Sequence, residues 1–92
     1  MPTQSTSELV VYGAYWCTDT RLVRDYLDEE VITYTYIELD DDPEGADWVR
    51  DQNDGTERKP TLRFISPPHP DIVLSVPTTA ALRVWLQKHK IS

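Results

Sequence analysis

The chain has 92 residues, 39% of them hydrophobic and 27% charged, with no shift in composition along it; this is the make-up of one small globular domain rather than a disordered chain. Sixteen acidic against nine basic residues give a net charge of −7 without a basic stripe, which argues against a nucleic-acid partner. No run approaches the ~20 apolar residues of a membrane span, no secretory signal opens the chain and one cysteine cannot staple it, so the expected setting is the reducing cytoplasm, with a free thiol and no membrane partner.

The polar segment Met1 to Glu8 reads as a flexible tail, and residues 9–92 as a single domain. Leu9-Val10-Val11-Tyr12, closed by Gly13, is a run of β-formers and predicts a buried first strand. After the turn Ala14 to Cys17, the spacing of Leu22, Val23, Tyr26 and Leu27 predicts an amphipathic helix from Thr18 to about Glu30. Val31 to Leu39 is rich in β-branched and aromatic residues and predicts a second strand. Asp42-Pro43-Glu44 has the composition of a helix start and Asn53-Asp54-Gly55 that of a stop, with Ala46, Val49 and Trp48 as apolar contacts between them.

Thr61–Ser66 and Asp71–Val76 are β-type runs joined by Pro67-Pro68-His69-Pro70, a spacing that suits an antiparallel pair. Thr78 or Thr79 can cap a last helix whose buried stripe is Ala81, Leu82, Trp85 and Leu86, with Lys88, His89 and Lys90 at its C-terminal end, where the helix dipole favours cations. The order is therefore β-α-β-α-β-β-α. A right-handed crossover makes the first two strands a parallel pair, the later hairpin adds antiparallel strands, and the fold class is α/β, a four-stranded mixed sheet flanked by three helices.

The residue that carries chemistry is Cys17. A cysteine at a helix N-terminus faces free backbone N–H groups and the positive end of the helix dipole, both of which favour a nucleophilic thiolate; the alternative is an inert buried residue, as most free cysteines are. Asp19 opposes this by charge repulsion and Arg21 offsets it in part. His69 and His89 stand far apart with no ligand spacing, so no metal site is expected.

Tyr15-Trp16-Cys17-Thr18-Asp19-Thr20 at the end of a first strand, the element order, and Asn53-Asp54-Gly55 followed by Lys59-Pro60-Thr61-Leu62 together resemble the glutaredoxins of the thioredoxin-fold family, and within them the bacterial mycoredoxin and glutaredoxin-like proteins. The resemblance runs from Leu9 onward. It implies a thioredoxin-like fold, with a proline, here Pro60, preceded by a cis peptide bond and facing the thiol. The backbone of Lys59 would then hold an extended thiol substrate. A plain strand-start role for Pro60 is the alternative.

The chain departs from the dithiol members at Thr20, which stands where they carry a second cysteine. A hydroxyl there can donate weakly to the thiolate but cannot resolve a mixed disulfide, so any turnover is monothiol, with Cys17 and Thr20 as the catalytic pair. It also lacks the basic residue and the Gly-Gly pair that hold glutathione in glutaredoxins, reading Gly13-Ala14-Tyr15 and Val76-Pro77-Thr78-Thr79 instead. Candidate substrate contacts are Tyr15, Trp16, Thr18, Arg58, Lys59, Pro60, Thr78 and Thr79. For Trp16 the alternative is a core position, and for the threonines ordinary helix capping.

The resemblance implies a monomeric thiol–disulfide oxidoreductase that reduces mixed disulfides between proteins and a low-molecular-weight thiol. Glutathione or mycothiol would serve as co-substrate, oxidised protein thiols as partners, and no cofactor would be tightly bound. The alternative is a non-catalytic thioredoxin-fold module that binds peptides or docks on a redox partner. Iron–sulfur carriage fits less well, because monothiol relatives of that kind have Gly, Phe and Ser after the cysteine, and this chain has Thr18-Asp19-Thr20.

Overall fold

The computed structural model describes residues 7–88. Its elements are β1 (Glu8–Gly13), α1 (Thr18–Glu29), β2 (Thr35–Glu38), a single 3-10 turn at Leu39–Asp41, α2 (Pro43–Gln52), β3 (Thr61–Ile65), β4 (Ile72–Ser75) and α3 (Thr79–Lys88). The sheet order is β2-β1-β3-β4, with β1 parallel to β2 and antiparallel to β3, and β3 antiparallel to β4. The expected element order and mixed four-stranded sheet are therefore present.

β1 sits centrally because its residues are buried on both faces. Leu9 and Val11 face α1 and α3 in a core with Val23, Leu27, Ile32, Leu62, Leu82 and Leu86, while Val10 and Tyr12 pack with Leu39, Ala46 and Val49 under α2. Alternation along the strand delivers these two sets to opposite sides. The ring of Trp48 stacks on Tyr12 at 4.8 Å, and Arg63 on β3 lies over the same Trp48 ring at 4.6 Å.

Several local expectations are corrected. β1 begins at Glu8, which pairs with Ile65, so the boundary lies inside the segment read as a tail; residues 1–6 lie outside the described range, as do His89 and Lys90. Val31 to Tyr34 do not belong to a strand. Val31 N–H donates to Asp28 O and Ile32 N–H to Leu27 O, at 3.1 and 2.9 Å, and Val31 has φ 57°. This pair of bonds is the Schellman ending of α1, with buried Ile32 packing in the same cluster as Leu27. A valine occupies the left-handed position usually given to glycine, which is why composition there reads as strand. Leu22 is 54% exposed, and its place in the first turns of α1 is taken by fully buried Thr20. Ala81 is likewise exposed, while Leu82 and Leu86 are buried and Trp85 lies half-buried, edge-on to Phe64.

At α2 the Asp42 carboxylate accepts from Gly45 N–H at 3.0 Å with Pro43 in the first turn, as the sequence suggested. The stop is made by Asp54 at φ 56° and Gly55 at φ 88°, with Gly55 N–H returning to Arg50 O. Among the described residues no helix is long and apolar enough to cross a membrane.

Candidate functional site

The C-terminal ends of β1 and β2 lie side by side, with Gly13 in register with Glu38. From that edge the chain turns through Ala14, Tyr15 and Trp16 and enters α1, with Cys17 as its N-cap residue. The turn is closed by Cys17 N–H donating to Ala14 O at 2.9 Å. α1 can sit this close because residue 13 has no side chain: a Cβ there would lie 2.6 Å from both Cγ2 and Oγ1 of Thr20. The Thr20 hydroxyl accepts from Ala14 N–H at 3.3 Å in a buried contact.

The opposite wall comes from the segment before β3. The Thr61 hydroxyl donates to Arg58 O at 2.9 Å, Val76 N–H donates to Pro60 O at 2.8 Å, and the Lys59–Pro60 peptide bond is cis. These ties present the Lys59 carbonyl to the thiol, and Cys17 Sγ–H donates to it at 3.7 Å. Pro60 is buried beneath. The Cys17 side chain accepts no hydrogen bond from the first turn of α1, so the sulfur engages the Lys59 carbonyl rather than the free N–H groups of the helix.

Tyr15 and Trp16 flank the half-buried thiol and are 69% and 57% exposed. The core position considered for Trp16 is not the one it holds. Its indole N–H donates to Asp40 Oδ2 at 2.8 Å, and Lys59 Nζ lies 5.4 Å from its ring centroid. The Lys59 ammonium is also paired with Glu57 at 3.1 Å, and Glu57 with Arg50 at 2.9 Å. The cationic charge of Lys59 is therefore engaged with a carboxylate.

The remaining sequence candidates are more dispersed. Thr18 is exposed at the first position of α1, and Arg58 is exposed beside Lys59. Thr78 caps α3 through its hydroxyl, which accepts from Ala81 N–H at 3.0 Å, and Thr79 is the first helical residue. Val76, just before them, has φ 45°, a left-handed conformation strained for a β-branched residue. The segment 76–79 is joined to Pro60 by the Val76 amide.

Two residues of the site went unnoticed in the sequence. Glu38 Oε1 accepts from Tyr15 N–H at 3.0 Å and from Tyr36 O–H at 2.7 Å, and Asp40 holds Trp16. Only the parallel register of β1 and β2 brings them to the turn, and an acid at a strand end otherwise reads as solvated. Burial pushes the Tyr36 phenol well above its ordinary range, and the bond to Glu38 and the charge of that carboxylate add to the effect. The Arg24 guanidinium lies 3.7 Å from the Tyr36 ring centroid; its pKa is raised, burial being outweighed by the hydrogen bond to Tyr34 and the nearby charges. Among the described residues no group of His, Cys, Asp and Glu could hold a metal ion.

A lone thiol at the junction of β1 and α1, opposite a proline that opens β3, is the arrangement of a thioredoxin-fold protein. Solved structures agree on the fold. Chloroplastic thioredoxin z superposes with a TM-score of 0.62 at 17% identity, over 92% of this chain and 79% of that one. Thioredoxin O2 from Arabidopsis thaliana, in the oxidised state, gives 0.63 at 16% identity, over 89% and 73%. No family model matches the chain. Mycoredoxin 1 of Corynebacterium glutamicum is 33% identical over 63 residues, spanning 68% of this chain and 77% of that protein. The chain accordingly belongs to the glutaredoxin-like family of thiol–disulfide oxidoreductases that includes mycoredoxin 1.

Proposed function

We propose that the protein is a monothiol reductase of mixed disulfides between proteins and a low-molecular-weight thiol, acting as a cytoplasmic monomer. The Cys17 thiolate attacks the small-thiol sulfur of the mixed disulfide; a Cys17–small-thiol disulfide forms and the protein thiolate leaves. A second small thiol, as its thiolate, then attacks the small-thiol sulfur on Cys17, releasing the oxidised small-thiol dimer and the Cys17 thiolate. The net reaction turns one mixed disulfide and one free small thiol into the free protein thiol and the oxidised small-thiol dimer; the number of disulfides is unchanged and no second protein cysteine is needed.

The observation that carries this role is the single free thiol 3.7 Å from the Lys59 carbonyl, beside Pro60, in a chain with no other cysteine. An extended substrate would take the Lys59 backbone as a partner, displacing the Sγ–H contact, and would lie against Tyr15, Trp16 and Thr18, with Arg58, Thr78 and Thr79 at the edge for the small thiol. The buried Thr20 hydroxyl serves the turn through Ala14 N–H. Likeness to mycoredoxin 1 favours mycothiol as the small thiol, and the absence of the glutaredoxin Gly-Gly pair at Val76-Pro77 counts against glutathione.

A non-catalytic peptide-binding or adaptor role has one observation on its side: the sulfur contacts the Lys59 carbonyl and makes no side-chain hydrogen bond with the first turn of α1. Steady-state reduction of a mycothiolated and a glutathionylated model protein, coupled to the matching thiol, separates the two. Turnover that disappears in Cys17→Ser supports the reductase. Absence of turnover above Cys17→Ser with both thiols, together with peptide binding retained in Cys17→Ala, establishes the adaptor instead.

A further inference from the structure

We propose that Glu38 is a positioning residue for the reactive thiol, holding the Tyr15–Cys17 turn through its carboxylate on the Tyr15 amide. This rests on Cys17 being a reactive thiol, as in the proposed function.

Three amides of the turn have partners. Ala14 N–H goes to Thr20 and Cys17 N–H to Ala14 O, both within the β1–turn–α1 segment, whereas Tyr15 N–H goes to Glu38 on the neighbouring strand. Of these three amides, that of Tyr15 is the one that ties the turn backbone to the neighbouring strand. The placement of Glu38 is set from two sides. The backbone is in register with Gly13 at the end of β1, and the carboxylate receives Tyr36 O–H at 2.7 Å. Tyr36 is in turn covered by Arg24 of α1, whose guanidinium lies 3.7 Å from the ring centroid. The carboxylate therefore reports the spacing of β2 and α1 to the turn between them.

A second feature separates this contact from an incidental surface bond. Glu38 Oε2 is buried and has no hydrogen-bond partner among the described residues. A carboxylate oxygen held away from water without a donor is costly, and a neutral or apolar residue would fill the same place more cheaply. The charge-assisted bond to Tyr15 N–H, stronger than a neutral one, is what the glutamate supplies in return. Sequence position gives the consequence: the amide it holds is two residues before the sulfur.

The test compares Glu38→Ala, Glu38→Asp and Glu38→Gln in the full chain. Cys17 alkylation by iodoacetamide, kcat and KM for mixed-disulfide reduction, and residue-resolved amide exchange are measured for each. Glu38→Ala should speed exchange at Tyr15 at least about tenfold with little change in the core of β1 and β3, and slow both alkylation and kcat/KM by about five- to tenfold. Glu38→Asp keeps the charge but is one methylene short, and should behave like the alanine variant. Glu38→Gln keeps an acceptor of the right length but loses the charge, and should restore both rates in part. If Glu38→Ala does not fold, the aspartate and glutamine variants decide by the same criteria. Unchanged alkylation in Glu38→Ala or Glu38→Asp, or a uniform rise in exchange across the sheet, overturns the proposal. A wild-type chain that alkylates but does not turn over refutes the reductase reading and leaves the Glu38 comparison to be decided by alkylation alone.

Discussion

Replacing Gly13 with alanine probes the joint on which the thiol stands. The backbone at residue 13 lies outside the left-handed region, so alanine meets no conformational barrier there. A glycine-to-alanine change in such a place ordinarily stabilises by about 0.4–1 kcal/mol, through the unfolded chain. Here the new Cβ would lie 2.6 Å from Cγ2 and Oγ1 of Thr20 and 3.2 Å from its Cβ. Thr20 is fully buried in the first turn of α1 and has no open space to turn into. Overpacking of this kind costs about 1–3 kcal/mol. For a domain of this size a loss near ~2 kcal/mol lowers Tm by about 8–16 °C.

Thr20→Ala alone is also destabilising, by about 1–3 kcal/mol, because it leaves the buried Ala14 N–H without its acceptor. In the double variant the two closest atoms are gone, so the combined loss should fall short of the sum by at least about 1 kcal/mol. Urea and thermal unfolding of the four proteins measure this cycle. A stabilised Gly13→Ala, or strict additivity in the double variant, would refute the packing account of the turn.

Trp16→Phe keeps a ring beside Lys59 but loses the donor to Asp40; an exposed bond of this kind is worth about 0.5–1 kcal/mol, so KM for a mixed-disulfide substrate should rise about two- to fivefold with kcat little changed. Asp42→Ala removes the cap on Gly45 N–H and should lower stability by about 1 kcal/mol, or Tm by roughly 4–8 °C, with thiol reactivity little changed, since the hydrogen bonds that hold the turn go to Thr20, Glu38 and Asp40 and not to α2. The raised Tyr36 pKa gives a pH signature. Above the ordinary value of about 10 the unfolded chain releases this proton while the folded chain keeps it, so the contribution is full below that pH and is lost as pH rises toward the folded value. Between about pH 9 and about pH 11 the wild-type chain should lose stability more steeply than Tyr36→Phe in urea titrations; parallel slopes would count against the burial of the phenol.

Strongly patterned elements were the ones that could be seen in advance. The continuous run Leu9–Tyr12 is buried on both faces, and Asp42-Pro43 announces α2 because cap and first-turn chemistry are local. The Val31–Tyr34 stretch misled because β-branched and aromatic residues there serve a helix ending, and a valine at φ 57° has no compositional signal. Thr20 is buried and Leu22 exposed because the face of α1 that meets Gly13 carries residue 20 and not residue 22. The positions of Cys17 and Pro60 followed from motif, and their juxtaposition depends on tertiary structure. Glu38 and Asp40 escaped notice because their partners, Tyr15 and Trp16, lie 23 and 24 residues away and meet them only across the parallel β1–β2 register.

The most direct test of the monothiol role is the intact mass of the full chain after mixing with a mycothiolated or glutathionylated protein, before and after addition of the free thiol. The account predicts a gain of one small-thiol mass, located at Cys17 and absent in Cys17→Ser, that disappears when the matching thiol is added. An unchanged mass with both substrates, in a protein whose Cys17 is reduced and accessible to iodoacetamide, would contradict it.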